Sequence, residues 1–83
     1  MARRATSLDG RKSGYMHICD FEVLKDGAVI AARRSLALPD LRAAWPEIAE
    51  LARRYAPGCK IRVKDEAGRI LILTGVAAVR QAL

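Results

Sequence analysis

Residues able to carry chemistry are scarce in this chain. Its 83 positions hold a single histidine, two cysteines and four aromatic residues. A zinc site normally needs three or four protein ligands, and one His without any Cys-x-x-Cys does not supply them. There is no Gly-x-Gly-x-x-Gly, and no Gly-Lys-Ser/Thr run after a strand, so a phosphate-cradling loop is not expected. No apolar run approaches the roughly 20 residues that span a bilayer, and residues 1–14 lack the apolar stretch of a secretory signal. Cys19 and Cys59 are therefore expected to be reduced, core-facing thiols of a cytoplasmic protein rather than a disulfide. Neither a cofactor nor a membrane is expected as a partner.

The chain is rich in aliphatic residues and positive charge. It is 52% hydrophobic, but fifteen of those residues are alanines, which bury little area. At this length a single core is near the lower limit of independent stability, and small domains often gain by burying a second face against a copy of themselves. The formal net charge is +6. Residues 1–14 set Arg3, Arg4, Arg11 and Lys12 against Asp9, so half of the excess lies on this segment. It shows no hydrophobic periodicity and reads as a disordered basic tail, followed by one small domain over residues 15–83.

Within that domain the elements follow from period and punctuation. Tyr15–Lys25 alternates as a strand, with Tyr15, His17, Cys19, Phe21 and Val23 on one face and Met16, Ile18, Asp20, Glu22 and Leu24 on the other. Asp26-Gly27 is a two-residue hairpin signal, because a type I′ turn needs positive φ at both central positions. A second strand is expected from Ala28 to about Ser35. Asp40 then caps an amphipathic helix whose stripe comprises Leu41, Ala44, Trp45, Ile48, Leu51, Ala52 and Tyr55, and Ala56-Pro57-Gly58 ends it. Pro46 removes an N–H. Either a short helical turn precedes a helix restarting at Pro46, or one helix kinks there, and the unbroken stripe favours the kink.

Two more strands, Cys59–Lys64 and about Arg69–Thr74, meet through Asp65-Glu66-Ala67-Gly68. Val76, Val79 and Leu83 suggest a short closing helix. The expected fold class is α+β with ββαββ(α) order: a four-stranded antiparallel sheet and one amphipathic helix packed on one face. Ile70–Leu73 is apolar on both faces and should be covered on both. One helix cannot do this alone, so either the C-terminal segment or a second subunit is expected to cover the other side.

Tyr15, His17 and Ile18 of the opening strand, the Leu38-Pro39-Asp40-Leu41 run that leads into the helix, and Ile61–Ile70 of the second hairpin together resemble a family of short bacterial proteins known as a domain of unknown function. The resemblance covers about Tyr15 to Thr74. The longer first hairpin arm, Pro46 and the apolar ending Val76–Leu83 depart from the family pattern. The resemblance implies a small α/β fold in a soluble bacterial protein and carries no activity with it.

Each candidate site has a plainer reading beside it. His17, Cys19 and Asp20 form the one cluster with ligand or nucleophile chemistry. Neighbours at i and i+2 on a strand diverge, however, so a structural His17 is favoured over a catalytic pair. Asp65 and Glu66 read as turn residues rather than an acid–base pair, and Trp45 and Tyr55 as core. Lys60, Arg62 and Lys64 project from one strand face. With Arg69, Arg33 and Arg34 they could track a phosphate backbone, although lysines on a strand also deter edge aggregation and the face lacks aromatics for base stacking. The leading expectation is a non-enzymatic, homo-oligomeric protein-interaction module, most simply a homodimer. The alternative is weak binding of nucleic acid or another polyanion through this patch and the tail.

Overall fold

The computed structural model describes residues 16–83. The expected basic tail at 1–14 lies outside the described residues, as does Tyr15. Four strands and two helices follow in the order β1 (His17–Lys25), β2 (Ala28–Leu38), α1 (Ala44–Arg54), β3 (Lys60–Asp65), β4 (Ile70–Gly75) and α2 (Val76–Ala82). The sheet has the order β2-β1-β3-β4, every pair is antiparallel, and the α+β arrangement is the one the sequence predicts.

Local chemistry accounts for the connections. Asp26 and Gly27 take φ of 53° and 82°, as a type I′ hairpin requires. Gly68 sits at φ 85° in the second hairpin, where an L side chain would be strained. The Asp65 carboxylate Oδ1 accepts from the N–H groups of Ala67 and Arg69, both at 2.9 Å, and so closes that turn.

β2 continues to Leu38, beyond the expected end near Ser35. Two register breaks let it do so, one between Cys19 and Phe21 and one between Val23 and Leu24. At the first break Ser35 adopts φ 59°, and its N–H donates to Asp20 Oδ1 at 2.9 Å. This side-chain acceptor replaces the ladder bond that the extra residue loses.

The region before α1 corrects the expected kink. Asp40 caps a separate 3₁₀ turn, Leu41–Ala43, its Oδ1 accepting from the Ala43 N–H at 3.1 Å. α1 itself starts at Ala44, which places Pro46 in the first helical turn. Backbone N–H groups there have no intrahelical partner, so proline removes nothing.

The core lies between the helices and one face of the sheet. Cys19, Phe21 and Val23 of β1 and Ile61 and Val63 of β3 meet Ala44, Ile48, Leu51 and Ala52 of α1, with Val76 and Val79 of α2. Trp45 corrects the expected stripe: it is 49% exposed, and Leu41 is exposed beside it. Trp45 borders a shallow depression between α1 and α2, lined also by Ala49, Ala78, Val79, Ala82 and Leu83. Tyr55 is half-buried at the core margin.

α2 packs beside α1 over the same face, and Arg80 fastens the two. Its Nε donates to the Ala52 carbonyl at 2.7 Å and its Nη2 to the Tyr55 carbonyl at 3.0 Å, satisfying acceptors at the C-terminus of α1. The closing helix is therefore not a cover for the second face of the sheet, which no element of residues 16–83 crosses.

Candidate functional site

The open face of the sheet carries most of the cations singled out by sequence, and the register shows how they are arranged. Lys60, Arg62 and Lys64 of β3 lie directly opposite Leu24, Glu22 and Asp20 of β1. The basic row of one strand thus meets an acidic pair on its neighbour.

Glu22 is the centre of this arrangement. It is only 3% exposed, although no helix covers it. Its Oε1 accepts from Arg62 Nε at 2.8 Å and pairs with Arg62 Nη2 at 2.6 Å. Its Oε2 lies 3.4 Å from Lys64 Nζ and 3.5 Å from Arg34 Nη1. The charged ends of these three side chains gather around the carboxylate. Burial pushes the Glu22 carboxyl up, but the hydrogen bonds and charges of Arg62 and Lys64 outweigh it and hold the group below its ordinary value.

The six candidate polyanion ligands do not form one patch. Arg62 and Lys64 are three-quarters buried and bound to Glu22. Arg34 reaches across β1 to Asp20 at 3.4 Å as well as to Glu22. Arg69 pairs with Asp65 at 3.3 Å within the second hairpin turn. Arg33 lies on the other face, where it joins β2 to α1 through Glu47 at 2.7 Å and Glu50 at 3.5 Å. Successive strand residues point to opposite faces, so Arg33 and Arg34 could share one only through a break between them. Lys60 is exposed and has no ion-pair partner among the described residues.

The His17 cluster divides between surface and core. His17 is exposed at the start of β1, whereas Cys19 is buried in the core. Burial pushes the Cys19 thiol up, and Asp65, Asp20 and Glu66 add to it, which suppresses the thiolate. The two line a surface depression of about 440 Å³ together with Asp65, Glu66, Arg69 and Leu71. Asp65 is committed there: main-chain hydrogen bonds from Arg69 and Ala67, with the Arg69 side chain, hold its carboxyl low. Among the described residues, no three His, Cys, Asp or Glu side chains gather to hold a metal ion. Cys59 is a second buried free thiol.

The other distinctive surface is apolar. Ile70, Leu71 and Leu73 of β4 are 54%, 39% and 57% exposed. β4 pairs only with β3, so its far side is a free sheet edge. Among the described residues no helix is long and apolar enough to cross a membrane. No family model matches the chain, and no match was found among the curated proteins or the solved structures compared with it.

Sequence reasoning grouped the cations of β3 but missed Glu22. A signal was present: Glu22 falls on the same face of β1 as Asp20. What was missing was the β1–β3 register, which places it opposite Arg62.

Proposed function

We propose that this protein is a non-enzymatic, cytoplasmic, homo-oligomeric interaction module. The observation that carries the reading is the set of large aliphatic side chains left exposed on β4, beside a sheet face that neither helix covers. Contiguous exposed apolar surface of this kind marks interaction sites in soluble proteins. The cytoplasmic part is supported by two buried, unpaired cysteines. The non-enzymatic part is supported by the burial of Cys19, whose thiolate is disfavoured, and by the commitment of Asp65 to its own turn. Sedimentation velocity across a wide concentration range tests this reading. A concentration-dependent dimer is expected, and a strict monomer at every concentration would overturn it.

Weak polyanion binding is the second reading, favoured by Lys60 and by the surplus of cations on the open face, where Arg34, Lys60, Arg62 and Lys64 face Asp20 and Glu22. Glu22 limits it, because Arg62 and Lys64 must leave a buried carboxylate to meet a phosphate. Amide spectra recorded during titration with short oligonucleotides, first at low salt, would show shifts confined to Lys60–Arg69 and weakening as salt rises. Unmoved spectra at low salt would remove it.

A further inference from the structure

We infer that β4 is the dimerisation strand, pairing antiparallel with β4 of a second copy about a two-fold axis at Leu73, so that two four-stranded sheets become one of eight. This rests on the interaction-module reading and names its surface.

The two edges of the sheet are unlike. β2 places Arg33 and Arg34 in mid-strand, has two register breaks and bends at Ser35, all features that discourage edge pairing. β4 reads Ile-Leu-Ile-Leu-Thr-Gly without a charge, and the next charged residue is Arg80. Its one register break lies opposite Val63 and Lys64, so Ile72–Gly75 runs in regular register against Val63–Lys60. The Val76 N–H donates to the Cys59 carbonyl at 2.9 Å. By the alternation of an antiparallel ladder, Thr74 and Ile72 also turn their main chains toward β3, while Leu73 and Gly75 turn theirs to the free edge.

A second copy is the occupant that this edge suits. The chain carries a formal net charge of +6, whereas β4 is uncharged and brings no like charges together when paired with itself. With the axis at Leu73, that residue exchanges main-chain hydrogen bonds with its own counterpart, and Ile72 lies opposite Thr74 of the second copy. The two Leu73 side chains meet on the open face. One short strand buries less than the about 800 Å² per partner of a standard interface, so a weak dimer is expected.

The test compares sedimentation of the native protein, Leu73→Lys and Trp45→Lys, with oxidative cross-linking of Leu73→Cys. Leu73 and Trp45 are both exposed, but Trp45 lies on the helical side of the molecule. The expected result is a native dimer that Leu73→Lys weakens by at least about tenfold, that Trp45→Lys leaves intact, and that Leu73→Cys locks covalently under mild oxidant. A native dimer that survives Leu73→Lys, or that Leu73→Cys does not cross-link, would overturn the β4 axis and leave the interaction-module reading standing. A strictly monomeric native protein would overturn both.

Discussion

Glu22 and Arg62 face each other across β1 and β3, and the guanidinium grips one carboxylate oxygen through Nε and Nη2, at 2.8 and 2.6 Å. Glu22 is nearly inaccessible while Arg62 retains a quarter of its exposure, so the pair is asymmetric. Removing the acid leaves cations that can turn to water; removing the base leaves an anion that cannot. The pair also sets the charge of the open face.

Glu22→Gln is expected to lower stability by about 1–3 kcal/mol, the usual loss when a buried charge-assisted hydrogen bond is broken. Because Arg62 and Lys64 are released, the same variant should bind a short oligonucleotide more tightly than the native protein at low salt. Urea unfolding and a fluorescence-anisotropy titration measure the two effects. A stable variant with unchanged binding would show that the carboxylate neither supports the sheet nor masks its cations.

Stability should fall in acid in a way that Glu22 helps to set. Its folded pKa is depressed below the ordinary value. Its contribution is therefore complete at neutral pH, begins to be lost near the unfolded pKa of about 4.3, and is gone below the folded pKa. Asp65, also depressed, acts in the same direction. Thermal unfolding followed from pH 7 to pH 2 should show a loss that is shallower in Glu22→Gln.

Both thiols should resist alkylation in the native state. Cys19 and Cys59 are buried, and burial together with Asp65, Asp20 and Glu66 disfavours the Cys19 thiolate. Mass spectrometry after iodoacetamide treatment at pH 7.5 is expected to find neither modified until denaturant is added. Rapid native labelling of Cys19 would instead indicate an accessible thiolate beside His17.

Trp45→Ala should be mild, costing below about 1 kcal/mol, as surface substitutions usually do. Phe21→Ala, in a fully buried position, should cost about 3–5 kcal/mol and leave little of so small a domain folded. Paired urea titrations of the two variants separate a surface indole from a core ring.

Local signals in the chain account for nearly every element. The Asp26-Gly27 turn, the alternation of β1 and β3, the Asp40 cap and the closing Val76–Val79 spacing each depend on one or two neighbouring residues, whose φ preferences and periodicity are intrinsic. Helix phase was less legible. Leu41 and Trp45 fit the apolar stripe as well as Ile48 does, but whether a stripe position is buried depends on what packs against it, and both are left exposed. Pro46 was ambiguous because its cost depends on where the helix begins.

Which charges neutralise one another was decided by tertiary structure alone. The register of β1 against β3 brings Glu22 to Arg62 across forty positions of sequence, and the pairing of β2 with β1 decides that Arg33 takes the helical face while Arg34, by ordinary alternation, takes the open one. Strand order likewise made β4 an edge rather than a covered centre. Composition and periodicity specify which residues share a face, because side-chain direction repeats along one element. They do not specify which face or edge meets another element, because that follows from pairing between segments distant in the chain.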